Sequence, residues 1–208
     1  LGASSWIATA SSKPVYDPEL RTFTFHHLAP KLFMPTGTMQ SAGLSYQWAR
    51  DNLAIKEKEI ARDLGLSPYE VMDLEAEKIL PGSENLIFLP YLLGERSPYW
   101  NPDARGVFIG LTPRHTRAHL MRAIMEGVGF NLKTILEAFL SQGIEIKDIR
   151  LIGGGGKSSL WSSILANIFE RDILRMEVLE EATSLGSAIA GGVGVGIFPG
   201  LNIVSRIV

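Results

Sequence analysis

The stretch DIRLIGGGGKSSLW, Asp148 to Trp161, constrains the fold more than any other part of the chain. A short strand, DIRLI, runs into four glycines and then into the helix-forming run KSSLWSSILANIF. A second strand, DILRMEV (172–178), comes next, and another helix is expected from Ser184 onward. Strand, helix and strand in succession predict a βαβ arrangement with a parallel sheet.

The glycines raise a narrower question. A glycine run that ends in Lys157 and Ser158 suggests the phosphate loop G-x-x-x-x-G-K-[ST]. With those two residues fixed, the pattern needs glycine at position 151, where Leu151 stands inside the strand. The dinucleotide pattern G-x-G-x-x-G fails too. Its last glycine falls on Ser158 when counted from Gly153, and on Ser159 when counted from Gly154. What remains is a strand ending at Ile152, a turn without side chains and a helix starting near Ser158. Bare backbone lets a flat ligand approach closely, and a helix N-terminus adds free N–H groups with partial positive charge. On these residues alone two readings stay open: a cradle for part of a nucleotide, or a tight turn with no ligand.

The N-terminal part has a different rhythm. Leu1 to Ala10 and Arg21 to Leu28 are rich in β-branched and aromatic residues, with the turn-like KPVYDPE between them. Lys31 to Met34, ahead of PTGT, is a third extended piece, so a meander of antiparallel strands is expected. From Thr38 the spacing of Leu44, Trp48 and Leu53 turns helical, with Thr38 as N-cap. Ser67, Pro68 and Glu70 make a capping box at the start of SPYEVMDLEAEKI. NLIFLP opens as a short buried strand and passes into a long loop, through Gly106, full of proline, glycine and aromatics. Ordered loops longer than about 12 residues tend to be functional. A long helix, about Thr116 to Ser141, carries Leu120, Ile124, Val128, Leu132, Ile135, Leu136 and Phe139 on one stripe. Antiparallel strands followed by a βαβ unit is the order of ribonuclease-H-like domains. The expected class is therefore α/β, a mixed sheet with flanking helices, in one domain over 1–208.

Composition removes several chemistries. The 208 residues include no cysteine, which excludes disulfides, thiolate zinc sites and cysteine nucleophiles. His26, His27, His115 and His119 show no metal-ligand spacing. A net charge of -2 offers no basic surface to nucleic acid or to an anionic membrane. The apolar run SLGSAIAGGVGVGIF (184–198) is shorter than the roughly 18–20 residues that span a bilayer. It is read as a buried small-residue helix packed on a sheet. No basic start followed by an apolar core suggests a signal peptide. The chain opens in mid-strand without methionine and closes on GLNIVSRIV, so a piece of a longer protein is expected.

Gly106, Phe108, Gly110 and Leu111, followed by His119, Leu120, Ala123, Ile124, Met125 and Glu126, make a spaced signature. With LPYLLGERSPYWNPDARGVFIGLT before and across it, this region resembles the FGGY family of carbohydrate kinases, of the actin–hexokinase superfamily. The resemblance is to the C-terminal domain and covers nearly the whole chain. It implies a two-domain cytoplasmic enzyme that holds ATP mainly on this domain and the sugar mainly on an N-terminal domain absent from this chain. GASS resembles the family's phosphate turn, which implies Gly2, Ala3 and Ser4 as phosphate contacts; Ala3 stands where threonine is usual. AGLSYQW implies Gly43 and Gln47 as residues that face the nucleotide. GGGGKSSLW resembles the adenosine motif, placing Gly154, Gly155 and Gly156 against adenosine and Ser159 near its ribose or base. Gly156 stands where alanine is common, and Lys157 is expected to point to solvent.

The implied cofactors are ATP and Mg2+. The family's catalytic aspartate sits in a Gly-Asp motif upstream of Leu1, so no catalytic residue is placed in this chain. Glu95, Arg96 and Arg105 are read as loop structure, Glu126 as an acceptor for nearby backbone and His119 as a helix-start residue. Trp6 is read as a core residue, and one of His26 and His27 as facing solvent. GERSP followed by GVFIGLT looks most like xylulokinases, so phosphorylation of D-xylulose to D-xylulose 5-phosphate is the first expectation. Gluconokinase is the close rival, with glycerol and ribulose further behind. A reading of another class is a non-catalytic nucleotide-binding module of the same fold. The implied partners are the sugar and the protein's own N-terminal domain; a homodimer stays open.

Overall fold

The structure is a computed structural model that describes residues 1–177 and 179–204. Its first three strands, β1 (Ser5–Ala8), β2 (Phe23–His26) and β3 (Phe33–Met39), form an antiparallel sheet in the order β1–β3–β2. A simple meander would have placed β2 in the middle. β3 takes that position because it is the longest of the three and serves a short strand on each edge. Ser5 lies opposite Met39, while Phe23 lies opposite Thr36. β3 also runs straight through the Pro35–Gly37 segment that reads as a turn. Pro35 has no N–H to give, but its carbonyl accepts from the Thr9 N–H at 3.1 Å. Thr38 therefore belongs to β3 and caps nothing.

The first helix, α1 (Gly43–Asn52), starts after Ala42. It is followed by α2 (Ile55–Leu64), which has no counterpart in the sequence reading. IKEKEIARDL is mostly charged and buries only Glu57 and Ala61, so it shows little apolar periodicity. α3 (Pro68–Glu77) begins with the expected capping box. The Ser67 hydroxyl accepts from the Glu70 N–H at 3.3 Å, and the Glu70 carboxylate accepts from the Ser67 N–H at 2.7 Å.

β4 (Ile87–Leu89) pairs antiparallel with β5 (Val107–Ile109), so the long loop between them closes on itself. α4 (Arg117–Ser141) is the central pillar. Beyond the expected stripe it also buries Met121, Arg122, Met125 and Glu126, since α3, α5, β3 and β4 pack around it. At Gly37 of β3 a β-carbon would come within 2.3 Å of the Ile135 side chain, so sheet and helix meet there without room for a side chain. β6 (Asp148–Leu151) and β7 (Asp172–Arg175) are parallel, Asp148 opposite Asp172, with α5 (Ser159–Phe169) as the crossover. This is the predicted βαβ unit; Val178, the last residue expected in its second strand, lies outside the described residues.

Two expectations fail here. α6 (Ala182–Gly194) buries only Ile189 and Gly192 and packs on the turn Leu201–Ile203, not on a sheet. Its small residues offer little apolar area to bury. Trp6 is 54% exposed on β1 and is not a core residue. It borders a slot of about 700 Å3 between β1 and β6, floored by Leu132, Leu136, Phe139, Leu165 and Phe169. β1 and β6 are not paired, and the strands fall into three small sheets among the described residues. No helix there is long and apolar enough to cross a membrane.

Candidate functional site

A hollow of about 750 Å3 joins five separate parts of the chain. Its construction begins at the chain's opening turn. The Gly2 N–H donates to the Ser4 carbonyl at 3.0 Å, and the carbonyls of Gly2 and Ala3 accept from the N–H groups of Gly43 and Leu44, each at 2.9 Å. A helix start leaves orphan N–H groups, and α1 has no side-chain cap to satisfy them. The backbone of the opening turn does so instead. This explains the residue at 43: a β-carbon there would sit 2.5 Å from the Gly2 oxygen.

The same turn is tied to the glycine run. The Leu1 nitrogen donates to the Ile152 carbonyl, and the Leu1 carbonyl accepts from the Gly155 N–H at 2.9 Å. Gly153 adopts a left-handed φ of 87° and donates to the Leu179 carbonyl at 2.7 Å. Gly154–Lys157 then form one 3-10 turn before α5. Ser158 is the N-cap of α5, its hydroxyl accepting from the Trp161 N–H at 3.0 Å.

Gly2, Ala3, Gly43, Gln47, Gly154 and Gly155 all line the hollow. Ser4 and Ser159 are exposed outside its lining, and Gly156 is buried behind it against Leu151 and Leu179. Gly154 is the open face of the run, since a β-carbon there would meet nothing closer than the Glu180 carboxylate at 3.9 Å. Lys157 is exposed, and it pairs with Glu180 at 2.8 Å across the mouth.

The sequence reading missed the other wall. Tyr69 and Asp73 stand one helical turn apart on α3, and Tyr46 precedes Gln47 on α1. The Tyr46 hydroxyl donates to Asp73 Oδ1 at 2.8 Å. Its ring stacks on Tyr69 at 5.9 Å and tilts against Trp161 at 5.3 Å. The Tyr69 hydroxyl accepts from Arg50 at 2.8 Å. Burial pushes the Asp73 carboxyl above its ordinary range, against the opposing pull of hydrogen bonds from Ser158 and Tyr46. Burial, with Asp73 beside it, also pushes Tyr46 well up, so it stays a neutral donor. The hollow is thus polarised, with bare backbone at Gly2–Ala3 and carboxylates at the α3 wall. The one available signal was the capping box, which sets where α3 starts and so which of its residues share a face.

The remaining polar residues are structural. Glu95 is 4% exposed, and one carboxylate oxygen accepts from the N–H groups of Gln40 and Arg96 at 2.9 and 2.8 Å. Its other oxygen accepts from Asn131 at 3.4 Å. Arg105 donates to the carbonyls of Pro102 and Ala104 within the same loop. Glu126 accepts from the Gly82 N–H at 3.0 Å and pairs with Arg122 at 2.7 Å. His119 completes the cap at Thr116, accepting from its N–H at 3.1 Å. His26 is exposed, whereas His27 turns back to accept from the Ala29 N–H.

Comparison with known proteins agrees with this architecture. The sequence model of the FGGY family of carbohydrate kinases, C-terminal domain, matches residues 1–195. The gluconokinase of Bacillus subtilis (strain 168) is 37% identical over 210 residues, which is 100% of this chain and 40% of that protein. A xylulose kinase of Staphylococcus epidermidis is 32% identical over 198 residues, 95% of this chain and 38% of that one. The solved structure of Plasmodium falciparum glycerol kinase with ADP has a TM-score of 0.79 at 26% identity, over 100% of this chain and 40% of that one. The chain spans about two-fifths of the length of these relatives.

Proposed function

From the premise that the chain belongs to the FGGY family of carbohydrate kinases, we propose that residues 1–208 are the nucleotide-holding domain of an ATP-dependent sugar kinase. The observation that carries this reading is the joining of the opening turn, the start of α1 and the glycine run around one hollow. Phosphoryl transfer asks a protein mainly for positioning and for neutralised phosphate charge. The α3 wall, with Asp73 and Glu70, repels phosphates, so they lie toward Gly2 and Ala3. The flat backbone of Gly154 and Gly155 then faces the nucleoside, and Gly43 and Gln47 line the space between.

The phosphoryl donor would be ATP with its magnesium, which when bound would neutralise phosphate charge. Among the described residues no group of three His, Cys, Asp or Glu could hold a metal ion. The described donor set does not by itself make a protein-held metal site. Glu95 is no base for a sugar hydroxyl, because both its oxygens are engaged by Gln40, Arg96 and Asn131. The base is assigned to an aspartate upstream of Leu1.

The sugar we propose is D-xylulose, with D-gluconate as the close rival and another sugar or polyol behind them; relatives named xylulose kinase and gluconokinase support this reading. The test is ADP release by the full-length protein with magnesium ATP and D-gluconate, D-xylulose, D-ribulose or glycerol in turn. Strong stimulation by one of the first two is expected. ADP binding with no stimulation by any compound would instead identify a nucleotide-binding module without this activity.

A further inference from the structure

Asp73 is a carboxylate on the wall of the hollow with acceptor capacity to spare. Tyr46 donates to Oδ1 at 2.8 Å. An ionised carboxylate offers about four acceptor positions, so one hydroxyl does not exhaust it. Among the described residues no lysine, arginine or histidine forms a salt bridge with it. Tyr46, Tyr69 and Trp161 gather beside it as flat, apolar surfaces. A negative group set among aromatic faces suits a planar ring that carries an N–H donor and repels a phosphate.

Resting on the nucleotide reading above, we propose that Asp73 reads the base of the nucleotide. Its carboxylate accepts a hydrogen bond from the exocyclic amine of adenine and turns away guanine, which presents a carbonyl oxygen at the same ring position. Tyr46 is the positioning residue that holds the carboxylate for this contact. A site built to hydrogen-bond a donor rejects the analogue that lacks it, because the spare acceptor position then faces a carbonyl oxygen.

The test is calorimetric binding of ADP, GDP and 2′-deoxy-ADP to the full-length protein, alongside sugar-stimulated turnover with ATP. The natural protein should bind ADP about 10-fold or more tightly than GDP, the range expected for one hydrogen bond to a charged group. Asp73→Ala should lose that preference through weaker ADP binding, with GDP nearly unchanged. Asp73→Asn, whose amide can donate to a carbonyl, should shift preference toward GDP. In both, KM for ATP should rise while kcat changes little. Equal weakening of ADP and GDP with a lowered Tm would mean a merely structural role and would overturn the proposal. So would loss of the ADP over 2′-deoxy-ADP preference alone, which would place the ribose at Asp73. A natural protein that does not discriminate ADP from GDP, yet turns over a sugar, overturns the base assignment and leaves the kinase reading standing. No nucleotide binding and no turnover would remove both.

Discussion

At Gly43 the obstacle to any side chain is backbone, the Gly2 oxygen 2.5 Å away, and backbone cannot turn aside. Gly43→Ala should separate α1 from the opening turn, costing about 1–3 kcal/mol of stability and weakening ADP binding. At Gly155 the obstacle is the Leu1 side chain, also 2.5 Å away, which can rotate. Gly155→Leu should therefore leave Tm nearly unchanged while filling the hollow and abolishing nucleotide binding. Melting curves with and without ADP separate the two cases, and an unchanged ADP shift in Gly155→Leu would contradict the assignment of the glycine run. Glycines of this kind can be named from sequence because the residue itself signals a close approach. Tyr46, Tyr69 and Asp73 could not be, since each is ordinary on its own helix. Their role exists only where α1 and α3 meet.

At the level of elements, local chemistry was legible and long-range pairing was not. The capping box of α3 is written in four adjacent residues, and the structure forms it. Ser67→Ala should cost about 1 kcal/mol, a fall in Tm of roughly 2–4 °C for a chain of this size. The order β1–β3–β2 has no such local mark, and Pro35 and Gly37 argue locally against the strand that holds the sheet together. The connection from β1 to β2 is pinned by Asp17, which is 2% exposed. Its carboxylate accepts from Arg21 at the backbone N–H (2.7 Å), Nε (3.0 Å) and Nη2 (2.9 Å). The side-chain hydrogen bond from Arg21 holds the Asp17 carboxyl below its ordinary range. A carboxyl lowered on folding contributes stability above its unfolded pKa, and that contribution is lost as pH falls through the folded value. Calorimetric Tm between pH 7 and 3 should therefore fall more steeply for the natural chain than for Asp17→Asn, which begins lower. Parallel slopes would show that the pair contributes nothing.

For the whole molecule, the class and the parallel βαβ unit followed from the alternation of strand and helix around the glycines. Of the three short segments named by resemblance, Gly2, Ala3, Gly43, Gln47, Gly154 and Gly155 come together around the hollow, while Ser4, Gly156 and Ser159 lie outside its lining. What stayed hidden was how the two halves of the chain meet. The described chain binds no sugar on this reading, so by itself it should hold ADP weakly and release none above the blank with any of the four sugars and polyols. Turnover by the 208-residue chain alone would contradict the division of labour proposed here. The slot between β1 and β6 bears on how such a chain behaves in a tube. Each of those strands is paired along one edge only, and the apolar floor beneath them is open. Open ladder edges are templates for further strands. Light scattered by the isolated chain should climb faster than its concentration, as copies lend one another the strands each one lacks.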